Sequence, residues 1–436
     1  MRVTPHALLW LSVLVSPAAR AAESAPTLNL DQALASVEKV NVTVLLSREA
    51  AAQSLELTSQ LRAGILPIVS GSLNQRRSQG VSTAGVAVSS APASRFDALL
   101  SGSYSLLDFN RRSAVKASRV GVEVAQANYS AVVQNILTSV AQTYFTHLRN
   151  LRRLDVFDAN ISRARSLLEL AKNQLAAGVA TQIDVTRADS VLALADQARL
   201  QQVTVLYQSE LLLKRLLDVD TGVEMRLADF SVKRLPASMF AFGEQKTAFE
   251  TRADYLASMK SLEQTKGDVR TAAFERLPIL ALTGTYGLAS AKFDDSSKKD
   301  TWSTGVGLSF PIFDGFRAGA DKRVALSRQR AQEARLHSLE LQITAEIRLA
   351  LQDAGSRNAQ IAVAEKAVRL AQEEQRLARQ RYQQGVADNR EVVESENRLA
   401  IANDNLVEAV YQYNLSRVEL ARARGDVRNV LSEKMP

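Results

Sequence analysis

The stretch Gln174-Leu175-Ala176-Ala177-Gly178-Val179-Ala180 returns in the second half of the chain as Arg381-Tyr382-Gln383-Gln384-Gly385-Val386-Ala387. An acidic residue stands six positions after each glycine, Asp184 and then Glu391, and a valine follows each acid. A glycine between long runs of helix formers reverses a chain, because it enters the left-handed region without steric cost. Two such turns predict two helical hairpins and an internal duplication.

Other features repeat in the same order. Leu66-Pro67-Ile68-Val69 is matched by Leu277-Pro278-Ile279-Leu280, and Leu107-Asp108-Phe109 by Phe313-Asp314-Gly315. Each of these acids has an arginine three residues later, Arg111 and Arg317. Between Gly315 and Gln384 there is no proline. From Leu336 an apolar stripe runs through Leu339, Ile343, Ile347, Ala350, Ala354, Ile361, Ala364, Val368, Ala371, Ala378 and Tyr382. Steps of three, four and seven are those of a heptad seam, and about 70 residues at 1.5 Å each predict a rod of about 100 Å.

Four short segments have a period of two instead. Phe96, Ala98, Leu100, Gly102, Tyr104 and Leu106 alternate with Arg95, Asp97, Leu99, Ser101, Ser103 and Ser105. Leu280 to Leu288 and Trp302 to Phe310 alternate in the same way, and a weaker strand follows Ile68. Taken alone, this alternation favours a soluble sheet with one face on a core. The connections between the strands argue for a membrane barrel instead: Arg76 to Ser94 is rich in Ser, Gly, Ala and Gln, and Ala289 to Thr301 holds a mixed run of Lys, Asp and Ser. Four strands cannot close a barrel, and open edges are not tolerated in lipid. Copies of the chain must then pool their strands. Eight strands leave an interior filled by side chains, whereas twelve leave a lumen, so the expected assembly is a homotrimer.

The chain has 436 residues, 46% hydrophobic and 23% charged, with a formal charge of +8 and nine prolines. Its basic residues are interleaved with acids along the helices, which argues against a nucleic-acid partner. Arg2, the apolar run Ala7 to Val15 and Ala19-Arg20-Ala21 read as a secretory signal peptide. There is no cysteine, which excludes disulfides, a thiolate site and a lipoprotein anchor.

The expected organisation begins with a signal peptide over 1–21 and a first repeat over 22–218, with strands at about 66–76 and 95–107 and a tip near 178. An equatorial insert over 219–243 follows, marked by Gly222, Pro236 and Gly243. A second repeat over 244–425 has strands at about 278–288 and 301–311 and a tip near 385, leaving a tail over 426–436. The fold class is mainly α with a membrane β-barrel contribution: long antiparallel coiled-coil helices plus four transmembrane strands per protomer.

The duplication, the Leu-Pro pairs, the Pro311-Ile312-Phe313-Asp314-Gly315 segment and the Arg381-Tyr382-x-x-Gly385 turn together resemble the TolC-like outer-membrane factor family across the mature chain. The resemblance implies a twelve-stranded barrel in the outer membrane and a twelve-helix periplasmic tunnel, closed at its inner end. It implies two partners there, a periplasmic adaptor (membrane fusion protein) and an inner-membrane pump of the RND, ABC or MFS type. By resemblance, Ala177, Gly178, Val179, Gln384, Gly385 and Val386 form the adaptor-docking tip. Glu391 and Glu394 match the positions of an acidic ring that attracts cations. Asp184 and Tyr382 match gate partners joined hydroxyl to carboxylate. The family's gate arginine is replaced by Ala387, with Arg390 nearby at a different helical angle. Family members often carry Asn-Pro in the first helix and Arg-Pro-Asp in the second repeat; here these are Asn41-Val42 and Arg252-Ala253-Asp254, read as substitutions within helices.

No catalytic constellation, cofactor site or metal site is expected. His147 and His337 are isolated on helices, and no nucleophile elbow or phosphate loop occurs. The chain thus reads as a non-enzymatic exit duct held in the outer membrane without a lipid anchor. The rival reading is a periplasmic coiled-coil adaptor or scaffold with a soluble sheet.

Overall fold

The computed structural model of the chain describes residues 27–79, 92–228 and 249–428. The expected signal peptide, most of the insert and most of the tail fall outside these residues. The described elements, in order, are β1 (Thr27–Leu28), α1 (Leu30–Val40), α2 (Val42–Ala63), β2 (Ile68–Ser78) and β3 (Ala93–Leu107). They continue with α3 (Phe109–Ala176), α4 (Gln182–Leu216), β4 (Arg226–Leu227) and α5 (Ala253–Ala273). The chain then runs through β5 (Ile279–Ser290), β6 (Lys299–Ser309), α6 (Arg317–Gln383) and α7 (Asn389–Arg424).

The two long helices have 68 and 67 residues, which at 1.5 Å per residue makes each about 100 Å long. On α6 the expected stripe is the packed one: Ile343, Ile347, Ala350, Ala354, Ile361, Val368, Ala371, Ala378 and Tyr382 are buried. Leu336, Leu339 and Ala364 are half-buried. Small alanines at this seam let α6 and its return helix approach closely, which suits a thin-walled rod.

The two repeats enter their long helices differently. Asp108 is itself the N-cap of α3 and accepts from the Arg111 backbone N–H at 2.9 Å, with the Arg111 Nε 3.2 Å away. Asp314 stands two residues ahead of the cap of α6 and accepts from Ala318 N–H at 2.9 Å. Gly315 and Phe316 turn the chain between them with φ of 65° and 67°.

Asn41-Val42 and Arg252-Ala253-Asp254 do not lie inside continuous helices, which corrects the sequence reading. Asn41 takes ψ 121° and ends α1 while capping α2, accepting from Thr43 N–H at 3.0 Å and donating through Nδ2 to Leu216 O at 2.8 Å. Arg252 takes ψ 116° at the start of α5 and pairs with Asp254 and with Glu346. At Asn41 the polar side chain satisfies the freed backbone and so breaks the helix without a proline, whereas Arg252 makes no such cap bond.

The four long strands form one antiparallel sheet in the order β2-β3-β5-β6, so β2 and β6 are open edges. The strands reach further from the helices than expected. Ser78 pairs with Ala93 and Ala289 with Lys299, residues read from sequence as loop. Backbone bonds carry a water-facing ladder, so Ser, Asn and Lys there hide its extent. At the other end the ladder begins after Pro67 and Pro278, which lack a donor.

The register separates two faces. One carries rows such as Gly71-Leu100-Tyr286-Trp302 and Leu73-Ala98-Leu288. The other carries Ser70-Ser101-Thr285-Ser303 and Ser72-Leu99-Gly287-Thr301. Gly287 is required where β3 and β5 meet, since a Cβ there would stand 2.0 Å from Ala98 O.

Midway along the rod, Leu34, Val37, Leu137, Val140, Tyr144, Phe145, Leu213, Val418 and Val427 form the largest apolar cluster. The Tyr144 hydroxyl donates to Ala228 O at 3.0 Å beside the parallel β1–β4 pair. His147 is buried between helices, with Nδ1 2.9 Å from Ser209 Oγ.

Candidate functional site

Both hairpin tips are built by the same local physics. After α3, Gly178 takes φ 75°, Val179 N–H reaches Gln174 O at 2.9 Å, and Gly178 N–H reaches Leu175 O at 2.9 Å. After α6, Gly385 takes φ 71°, Val386 N–H reaches Arg381 O at 3.0 Å, and Gly385 N–H reaches Tyr382 O at 3.1 Å. These paired bonds are the Schellman closure, which satisfies the last helical carbonyls. Ala177, Gly178, Val179, Gln384, Gly385 and Val386 are all exposed, and Val179 and Val386 are each 67% accessible. Two apolar side chains thus project from the turns.

The return helices start on caps. Thr181 precedes α4, and its N–H and Oγ1 donate to the Asp184 carboxylate at 2.9 and 2.7 Å. These bonds hold the Asp184 carboxyl below the usual carboxylate range, helped by Arg187. Asp388 precedes α7 and accepts from Glu391 N–H at 3.2 Å.

Behind the turns, Leu167, Leu168 and Ala171 of α3, Val185 and Ala188 of α4, Tyr382 of α6 and Val392 of α7 share one apolar cluster. It joins the two hairpins. Asp184 and Tyr382 come together here, but the expected side-chain bond is not made. The Asp184 carboxylate is occupied by Thr181, and the buried Tyr382 hydroxyl has no hydrogen-bond partner among the described residues. Burial, and then the Asp184 charge, push the Tyr382 phenol up. The ties run instead through the main chain: Asn389 Nδ2 donates to Asp184 O at 2.9 Å and Gln174 Nε2 to Tyr382 O at 3.2 Å.

The carboxylates expected to form a ring are each paired. Glu391 meets Arg381 at 3.0 Å, and Glu394 meets Arg390 at 2.9 Å. Arg390 pairs with Glu394 one turn further along α7.

Three features escaped the sequence. Asn389 gave no signal, because one asparagine after an aspartate reads only as a helix start. Glu396 is nearly buried with Arg379 at 2.7 Å, Arg163 at 3.4 Å and Gln375 at 2.8 Å, joining α3, α6 and α7. Burial pulls the Arg163 guanidinium down; Glu396 opposes this and Arg379 adds to it. Further from the tip, Arg153 grips Asp404 at 2.6 and 2.8 Å, Arg149 meets Glu408 at 3.4 Å, and Thr146 Oγ1 meets the Tyr411 hydroxyl at 3.1 Å. These pairs form an antiparallel ladder between α3 and α7. In sequence they are lost among the many charges of a helical rod.

Among the described residues no three His, Asp or Glu side chains gather at metal distance, and no helix is long and apolar enough to cross a membrane.

Comparison with known proteins adds a family. The profile described as Outer membrane efflux protein matches residues 30–218 and 246–426. The chain is similar to the outer membrane protein OprJ of Pseudomonas aeruginosa, 27% identical over 310 residues, 66% of this chain and 61% of OprJ. It thus spans less than two thirds of that relative. It is also similar to the pyoverdine export outer membrane protein OpmQ of the same species, 23% identical over 400 residues, 89% of this chain and 82% of OpmQ. The solved CmeC outer membrane channel of Campylobacter jejuni has the same fold, with a TM-score of 0.82 at 19% identity over 91% of this chain and 86% of that one.

Proposed function

The chain belongs to the outer membrane efflux protein family, and from that premise we propose that it is one protomer of a passive, trimeric exit duct in the outer membrane. The observation that carries this reading is the sheet. It has an apolar face, a Ser/Thr/Gly face and two open edges, and it sits on helices about 100 Å long. Unpaired strand edges cannot remain in lipid, so they close by pairing with further copies. Three copies supply twelve strands, enough for a water-filled lumen. The apolar face then meets lipid and the hydroxyl face lines the lumen. The helical hairpins continue that lumen through the periplasm.

The duct has no chemistry of its own, and energy comes from a pump in the inner membrane acting through a periplasmic adaptor. The adaptor docks at Ala177, Gly178, Val179, Gln384, Gly385 and Val386. Exposed apolar knobs on rigid turns give it a defined surface to grip. The gate lies just behind, around Asp184 and Tyr382, where Asn389 and Gln174 tie one hairpin to the other. Each such bond contributes about 1 kcal/mol, small enough for docking to overcome. Glu391 and Glu394 stand at the inner aperture with their charge balanced by Arg381 and Arg390 at rest. Parting of the hairpins exposes them.

The test is direct. The mature chain should fractionate with outer membranes, need detergent for extraction, run as a trimer, and form ion channels in planar bilayers. A water-soluble monomer without conductance defeats the proposal.

A further inference from the structure

The hydroxyl face of the sheet changes character at the end away from the helices. Arg76 and Arg95 face each other across β2 and β3. One row inward, Asn74, Asp97, Ala289 and Lys299 align across all four strands. Partners in a ladder share a face, so all of these side chains belong with Ser70, Ser101, Thr285 and Ser303. The only acid among them, Asp97, is held by its neighbour, with Arg95 Nε at 2.8 and 3.0 Å from the two carboxylate oxygens. Arg76 and Lys299 have no acidic partner among the described residues.

Nothing adjoining this rim restores the balance. Asp300 pairs with Leu288 and so lies on the apolar face. The connection over residues 80–91 contains no charged residue, and the segment over 291–298 has two lysines against two aspartates. At the opposite end of the chain, Glu391 and Glu394 are each matched by an arginine. At the rim end of the sheet the hydroxyl face therefore carries a net cationic charge.

We propose that this mouth is a cationic ring that favours anionic cargo, molecules leaving with carboxylate, phosphate or phenolate groups. The inference rests on the duct reading, since it needs the hydroxyl face to line a lumen shared by three copies. Rings of Arg and Lys select anions, and low-dielectric walls focus their field across a narrow aperture. Each copy repeats Arg76 and Lys299, so three copies set six such cations around the mouth, and salt limits the reach of their field to roughly 10 Å at 0.1 M.

The purified full chain in planar bilayers under a KCl gradient gives the test. The reversal potential should show chloride favoured over potassium at low salt, with the preference shrinking at high salt. The variant Arg76→Gln plus Lys299→Gln should move the reversal potential toward potassium. A parent channel that prefers potassium overturns the inference and leaves the duct reading standing. So does an unmoved reversal potential in the rim variant. Absence of any conductance overturns the duct reading, and this inference with it.

Discussion

Asn389 and Asp184 belong to different repeats, yet the Asn389 amide donates to the Asp184 carbonyl at 2.9 Å, tying the first turn of α7 to the first turn of α4. Asn389 is almost completely buried, so its amide has little water to fall back on. The bond thus holds the second hairpin against the first beside both turns. Asn389→Ala should loosen this contact by about 1–2 kcal/mol. The expected result is a higher resting conductance in planar bilayers with an unchanged trimer. Conductance equal to the parent would remove Asn389 from the gate.

Tyr382 makes a contrasting case. Its hydroxyl is buried without a hydrogen-bond partner among the described residues. Tyr382→Phe should therefore keep or slightly raise thermal stability, because an unsatisfied polar atom is removed from an apolar cluster. A loss of about 1 kcal/mol or more would mean that the hydroxyl has a hydrogen-bond partner in the assembled protein.

Asp184 gives a pH dependence with a definite sign. Its folded pKa lies below the ordinary value of 3.8 because Thr181 donates to the carboxylate. The stability this supplies is present above the unfolded pKa and is lost as pH falls through the folded one. Asp184→Asn should narrow the difference in melting temperature between neutral and strongly acidic solution. An unaltered difference would show that the Thr181 bonds contribute nothing to the folded tip.

Glu396 holds two guanidinium groups in a poorly hydrated place, so removing its charge leaves them facing each other. Glu396→Gln should destabilise the protomer by about 2 kcal/mol, read as a lower urea midpoint. Adding Arg379→Met should recover part of that loss, because one of the repelling cations is gone. Failure of the second change to recover anything would show that Glu396 acts through packing alone.

The tips predict a separation of docking from folding. Val179→Asp plus Val386→Asp changes only exposed side chains, so melting temperature should stay within about 0.5 kcal/mol equivalent of the parent. Crosslinking to the periplasmic adaptor should be lost. Retained crosslinking would move the docking surface away from the turns.

Much of this architecture is set by local rules that a linear reading can follow. Gly178 and Gly385 must reverse the chain because only glycine takes φ near 70° freely, and the α6 stripe from Ile343 to Tyr382 must be a seam because its steps match the helical repeat. The alternation around Phe96 and Tyr286 likewise specifies a two-faced sheet from the pleat alone. These are properties of neighbours in sequence.

What the tertiary structure decided lies between residues far apart along the chain. Only when α3 lies antiparallel to α7 does Arg163 find Glu396 and Arg153 find Asp404. Only when the two turns meet does Asn389 take the Asp184 carbonyl while Tyr382 is left unbonded. Only the ladder register places Arg76, Arg95 and Lys299 on one face and Asp300 on the other. A charge on a helix or strand has many possible partners of equal local merit, and the choice is made by distance in space. Periodicity carries no information about that distance.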